Sequence, residues 1–327
     1  MKNFDKNQKM TNFIHGDCFQ ILNEFEPLSF DCVITSPPYF REREKNKHFN
    51  LNQTLDQYID QILKFTAKVH LILKNEGSFW LNIGDAYIGG SLALIPSIIA
   101  KRMIEEQGWI LNNDVIWQKS SVTPTAYKKR LTNSYEHFFH FVKNKDFYYN
   151  LTSLDSKKNE TKILNSKVVS SSGVSGKNYK KLILESVHLS KKEKENAQIA
   201  LNECLSEIRE GKIRDFRILI RGHNKVESKN RIAEINSKGF CVIKSSSNKP
   251  SDVWEINPEK KSIHYAPFPE DLVSFPIKVT CPPKGIILDP FCGSGTTNYV
   301  ALQNNRKSVG IDISEVFIES AKKRCSL

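Results

Sequence analysis

Two short segments carry residue types whose spacing could do chemistry. The first is Thr35-Ser36-Pro37-Pro38-Tyr39. Consecutive prolines can neither continue a strand ladder nor enter a helix interior, so the apolar run Phe30 to Ile34 must end there in a rigid loop. Such a loop holds the Ser36 hydroxyl oxygen and the Pro37 carbonyl in fixed directions, with the Tyr39 ring following. That suits a flat, conjugated substrate bearing an amino group. The amine is a poor nucleophile because its lone pair is delocalised into the ring. Two acceptors binding its two hydrogens favour a pyramidal nitrogen whose lone pair faces an electrophile, while Tyr39 stacks on the ring. The plainer alternative for the pentapeptide is a tight turn over the core.

The second segment is Asp289-Pro290-Phe291-Cys292-Gly293-Ser294-Gly295-Thr296-Thr297. It follows the short apolar run Gly285 to Leu288 and opens a helix expected from Thr296 to Asn304. Gly293 and Gly295 let backbone approach a ligand closely, and the helix start offers free N–H groups at a positive dipole end. Asp312 ends the next strand, Ser308 to Ile311, and stands 23 residues after Asp289. A carboxylate there can accept hydrogen bonds from two ribose hydroxyls. The glycines do not form G-x-G-x-x-G, so a nucleoside ligand other than NAD or FAD is the natural expectation.

These residues need a frame. Strand–helix units alternate through the first 150 residues: a helix from Leu55 to Leu73, a stop at Asn75-Glu76-Gly77, a strand from Ser78 to Ile83 and a helix from Ser91 to Gln107. Strands are expected at Leu111 to Trp117 and His137 to Val142, with a hairpin over His137 to Tyr149. The last 45 residues repeat the β–α–β–α pattern and end in a helix that Ser314 caps. The expected fold is α/β: a Rossmann-like, doubly wound, mostly parallel sheet.

Three parts are expected. Residues 1–150 form a catalytic half, 151–250 a basic insertion and 251–327 a cofactor-binding half. The insertion holds 21 Lys and Arg against 11 Asp and Glu, while the rest of the chain holds 27 against 25. It therefore carries nearly all of the net charge of +12, as a surface that neutralises phosphates would. Within it, Ser170 to Gly176 reads as a linker, and Ser190 to Glu210 as an amphipathic helix stopped by Gly211.

Other classes are excluded. The seven cysteines are scattered without a C-x-x-C pair, and the eight histidines form no ligand cluster, so neither a disulfide frame nor a metal site is expected. No apolar run reaches membrane-spanning length and the N-terminus lacks a secretion signal, which points to the cytoplasm.

Together the motifs resemble the amino-group DNA methyltransferases of restriction–modification systems. The resemblance is to the permuted group whose catalytic tetrapeptide precedes the cofactor glycines. Ser36-Pro37-Pro38-Tyr39 is similar to the S-P-P-Y form typical of cytosine-N4 enzymes, and Asp289 to Thr297 resembles D-P-F-x-G-S-G-T-T. The resemblance implies S-adenosyl-L-methionine as methyl donor. Its implied contacts are Asp17 after Gly16, Asp289, Phe291, Gly293, Ser294, Gly295, Thr296, Thr297, Asp312 and Ile313. Phe268, within His264 to Pro269, would line the methionine end. Gly77 to Asp85, Asn113 to Lys119, and Arg130 with Tyr135-Glu136 also resemble family segments. The implied partners are double-stranded DNA and a separate restriction endonuclease.

A base inside a duplex cannot reach such a loop, so the target nucleotide should be flipped out. Phe40, Arg41 and Arg43 could touch the target strand. Lys177, Lys180, Lys181, Arg214, Arg217, Arg221 and Lys225 are candidates for phosphates. Adenine-N6 methylation uses the same mechanism, and a silent DNA-binding module would keep the same fold. Carbon-5 methylation of cytosine needs a cysteine nucleophile, usually after proline, and the chain has no Pro-Cys pair.

Overall fold

The computed structural model describes residues 10–40, 53–120, 129–151, 162–164, 167–169, 178–210, 212–213, 215–224, 226–245, 250–258 and 269–326. Arg41, Arg43, Lys177, Arg214, Lys225 and Phe268, with His264 to Pro267, Ser170 to Gly176 and Gly211, lie outside them. The chain divides into two compact units, one of residues 1–154 with 251–327 and one of residues 155–250.

The first unit begins with strand β1 (Thr11–His15), helix α1 (Cys18–Ile21), β2 (Phe30–Thr35), α2 (Leu55–Ile72) and β3 (Leu73–Ile83). A small hairpin follows, β4 (Tyr87–Ile88) and β5 (Ser91–Leu92), then α3 (Ile95–Gln107), β6 (Ile110–Gln118) and β7 (Tyr135–Val142). The second unit contains β8 (Lys162–Leu164), β9 (Lys167–Val169), α4 (Tyr179–Glu185), α5 (Lys191–Arg209), β10 (Asp215–Ile220), α6 (Lys229–Lys238) and β11 (Phe240–Ser245). The chain returns to the first unit with β12 (Val253–Glu255), α7 (Glu270–Thr280), β13 (Ile286–Asp289), α8 (Thr296–Gln303), β14 (Lys307–Asp312) and α9 (Glu315–Arg324).

The first unit is built on an eight-stranded sheet of order β1-β14-β13-β2-β3-β7-β6-β12. Its first five strands run parallel to one another, and β7 lies antiparallel between β3 and β6. Side chains alternate across a strand, and here both alternants are buried. Val33, Phe79 and Leu81 pack under α2 and α3, whereas Cys32, Ile34 and Trp80 pack under α7 and α8. A sheet buried on both faces is the expected doubly wound arrangement.

The local signals act where they are strongest. Thr54 and Gln57 form a reciprocal capping box at the start of α2, and Gly108 closes α3 in the left-handed conformation. Three boundaries differ from the sequence reading. Asn75-Glu76-Gly77 does not form a loop: β3 starts at Leu73, because Phe30 pairs with Leu73 and pulls that segment into the sheet. A Cβ on Gly77 would lie 2.9 Å from the Asp31 carbonyl and 2.7 Å from Leu73, so glycine admits the bulge there. Ser91 and Leu92 belong to a hairpin turned by Gly89 and Gly90, and α3 begins only at Ile95 with Pro96 in its first turn. The expected hairpin of residues 137–149 is absent. Asn144 accepts from the Asp146 amide and turns the chain away, and the Tyr148 and Asn150 amides bond to Glu76 and Val279 carbonyls instead.

The second unit has its own core, in which Ile183, Ala197, Leu201 and Cys204 pack with Phe216, Ile218 and Ile220. Its long helix α5 runs as expected from Ser190, which closes a capping box with Glu193.

Candidate active site

Parallel strands present their carboxyl ends on one edge, and the candidate residues gather there. Asp289 ends β13 and Ser36 follows β2; 253 residues apart in the chain, these strands are neighbours through Ile287–Cys32 and Leu288–Val33. Asp312 ends β14 beside His15 of β1, two residues before Asp17. Gly84 and Asp85 follow β3 on the other side of Ser36.

Asp289 bonds the two halves of this edge. One carboxylate oxygen accepts from the Thr35 hydroxyl at 2.7 Å and from the Phe291 amide at 3.2 Å; the other accepts from the Thr297 hydroxyl at 2.6 Å. It is 1% exposed, and burial pushes its pKa up to about 6 despite these donors. The carboxylate thus faces protein groups and fixes Ser36 and the glycine loop relative to each other. Thr297 is turned inward by the same bond, and the Thr296 hydroxyl accepts from Arg324.

The glycine loop is held by Asp312. Its oxygens accept from the Gly293 amide at 3.0 Å and the Ser314 amide at 2.8 Å, and burial raises its pKa. Gly293 and Gly295 have φ of +50° and +77°. A Cβ on Gly295 would stand 2.8 Å from the Cβ of Ala321, so glycine also lets α9 pack against the loop. Phe291 packs edge-to-face on Phe65, and the Ile313 carbonyl accepts from His15. Ser294 is half-buried between the two glycines. Asp17 caps α1 through the Phe19 amide at 2.9 Å. Burial, with Asp17 and then Asp312 nearby, pushes up the thiol of Cys18, so these two carboxylates converge on one region. A region offering two carboxylates, a helix start and a close backbone approach fits a ligand with ribose hydroxyls and an amino group.

The other side of the site is a hydrogen-bond network that sequence reasoning touched only through resemblance. The Ser36 hydroxyl donates to the Tyr39 hydroxyl at 3.3 Å. Tyr39 stands 2.9 Å from Asn82 Oδ1 and donates to Glu136 Oε2 at 2.6 Å. Lys119 holds the other oxygen of Glu136, and the Asn82 amide donates to the His137 carbonyl at 3.1 Å. The Tyr39 ring lies over Gly84, where a Cβ would come within 2.8 Å of it. Tyr58 donates to the Pro38 carbonyl at 3.0 Å, and Pro37 and Phe40 are buried, which makes the loop rigid. Thr35, Asn82, Lys119 and Glu136 have no spacing pattern of their own; neighbouring strands bring them together. Arg130 stacks 3.6 Å over the Tyr87 ring and caps the β4–β5 turn through Gly90.

In the second unit, Lys180, Lys181 and Arg217 are exposed. Arg221 departs from the expectation of a free cation. Its guanidinium bonds Glu193 at 2.6 Å and the Asn236 carbonyl at 3.2 Å, so it ties α5 to the end of α6.

A family model for DNA methylases matches residues 30–323. The Type II methyltransferase M.SfiI of Streptomyces fimbriatus is 25% identical over 371 residues, spanning 93% of this chain and 88% of that protein. The solved structure of the cytosine-N4-specific PvuII DNA methyltransferase superposes with a TM-score of 0.61 at 18% identity, covering 98% of this chain and 89% of its own. A putative DNA modification methylase of Thermus thermophilus, solved with S-adenosyl-L-methionine, superposes at 0.53 and 16% identity, covering 97% of this chain and 93% of its own. The chain belongs to the DNA methylase family, the amino-methyltransferases of restriction–modification systems, whose methyl donor is S-adenosyl-L-methionine.

Proposed function

We propose that this chain methylates the exocyclic N4 of cytosine in double-stranded DNA. The observation that carries the reading is the direction of the Ser36 hydroxyl. Its hydrogen is turned to Tyr39, which leaves the oxygen's lone pairs for a hydrogen of the target amine. With the Pro37 carbonyl as the second acceptor, both amine hydrogens are held and the nitrogen lone pair is directed out of the ring plane. Tyr39 stacks on the extruded base. Serine at position 36 supports cytosine over adenine through the resemblance to S-P-P-Y enzymes, as does the likeness to the PvuII enzyme.

S-adenosyl-L-methionine supplies the activated methyl group. Asp312 would hold its ribose, Asp17 its adenine, and the Gly293–Gly295 loop its amino-acid end. Phe291, Ser294, Thr296, Thr297 and Ile313 would border it. Asp289 acts through position, keeping Ser36 and the cofactor loop in one frame. Residues 155–250 would serve target recognition, with Lys180, Lys181 and Arg217 on phosphates. No described helix is long and apolar enough to cross a membrane. The proposed setting is the cytoplasm, alongside a restriction endonuclease of the same specificity.

The test is chemical. DNA methylated by the purified protein is digested to nucleosides and analysed by mass spectrometry, with N4-methylcytosine the expected product. N6-methyladenine would overturn the base assignment and keep the mechanism. 5-Methylcytosine would overturn both.

A further inference from the structure

Methylating an amine leaves the nitrogen with one proton too many, and the proton must leave a loop in which Ser36 and Tyr39 are half-buried. We propose that Ser36, Tyr39 and Glu136 form a proton relay with Glu136 as its end point. The proposal rests on the reading that Ser36 engages the target amine.

The hydrogen bonds already run in the required direction. Ser36 donates to Tyr39 at 3.3 Å, and Tyr39 donates to Glu136 at 2.6 Å. Each hydroxyl therefore offers its proton along the chain toward Glu136 and keeps a lone pair for a proton arriving from the other side. The Tyr39 hydroxyl has one proton, and both Glu136 Oε2 and Asn82 Oδ1 are in reach of it. Glu136 is both nearer and charged, so it outcompetes Asn82 Oδ1 at 2.9 Å. Asn82 cannot turn away, because its amide donates to the His137 carbonyl. Lys119 holds the second oxygen of Glu136 and so aims the first at Tyr39. The Glu136 side chain is 13% exposed, shielded from bulk solvent yet in reach of a water that could take the proton onward. A ring that only stacked on a base would need no hydroxyl here.

In the step itself, the nitrogen lone pair forms the new N–C bond and the carbon–sulfur electron pair stays on sulfur. One N–H bond then breaks, and its electrons return to nitrogen. The proton passes to Ser36 Oγ as the serine proton moves to Tyr39 Oη and the tyrosine proton to Glu136 Oε2. Ser36 and Tyr39 end unchanged. Glu136 ends as the neutral acid and releases the proton to water.

The experiment compares wild type with Tyr39→Phe, Glu136→Gln, the double variant and Ser36→Ala. Single-turnover methyl transfer is followed on plasmid DNA, with calorimetric affinity for the cofactor. Apo proteins carrying tyrosine labelled with carbon-13 at Cζ give a second readout by NMR. Tyr39→Phe and Glu136→Gln should each slow transfer by roughly 100-fold, the low end of general acid–base contributions, with cofactor affinity unchanged. The double variant should be no slower than either single one, since a chain cut twice is no more broken than a chain cut once. The Tyr39 Cζ resonance should vanish in Tyr39→Phe and shift in Glu136→Gln. Wild-type rates in both single variants, multiplying effects in the double, or an unmoved resonance each overturn the relay. If Ser36→Ala is slow while the other two are not, the relay alone falls; if Ser36→Ala transfers at the wild-type rate, the reading beneath it falls too.

Discussion

At the scale of single residues, two carboxylates and one hydroxyl divide the work. Ser36→Ala should leave cofactor binding intact while raising the barrier to transfer by about 2–4 kcal/mol, as loss of one preorganised hydrogen-bonding group does; single-turnover kinetics with calorimetry separates the two effects. Asp312→Ala should weaken cofactor binding by about 1.5–3 kcal/mol through lost hydrogen bonds to a charged acceptor. Unchanged affinity in calorimetry would remove Asp312 from that role. Asp289 is a different case, because its partners are Thr35, Thr297 and the Phe291 amide. Folding raises its pKa from 3.8 to about 6, so the folded chain binds this proton more tightly than the unfolded one. The resulting stabilisation is complete below the unfolded value and is lost as pH rises through about 6. Relative to Asp289→Asn, wild-type stability in urea should therefore fall by up to about 3 kcal/mol from acid to neutral pH. A difference that does not vary with pH would refute it.

At the scale of elements, glycine plays two separable roles. Gly108 ends α3 at φ +73° with open space around its Cα, whereas Gly295 at φ +77° meets Ala321 of α9. Gly108→Ala should lose only the backbone preference, about 1–2 kcal/mol. Gly295→Ala adds overpacking of about 1–3 kcal/mol to the same cost. Equal losses in chemical denaturation would show that α9 yields freely. The elements themselves were legible where one signal dominated: the amphipathic pattern from Ser190 to Glu210 announced α5, and the spacing from Leu55 to Ile72 announced α2. Boundaries failed where partners decided them. Nothing local in Asn75-Glu76-Gly77 reveals that Phe30 will pair with Leu73 and draw those residues into β3.

At the scale of the whole molecule, charge is partitioned between units. Residues 151–250 hold a surplus of positive charge that the remaining sequence lacks. If this unit neutralises phosphates, the log of DNA affinity should fall with log salt by about 0.9 per contact. Replacing Lys180, Lys181 and Arg217 by Glu should flatten that slope in anisotropy titrations. The Lys181–Glu185 pair is exposed and 3.8 Å apart, too weak to withhold Lys181 from a phosphate. Arg221 belongs to another experiment. Arg221→Ala should leave the salt slope unchanged and lower the stability of residues 155–250, because Glu193 loses its partner.

By itself the sequence determined the doubly wound class, the cofactor loop and the rigid Ser36 loop. Each is written in consecutive residues whose backbone limits, glycine or proline, act locally. Tertiary structure alone decided which chemistry surrounds Ser36. The bond from Thr35 to Asp289 spans 254 positions, and Tyr39 meets Glu136 across 97. Contacts of that range depend on strand order, and strand order is settled by which faces are buried together, a property no short segment possesses.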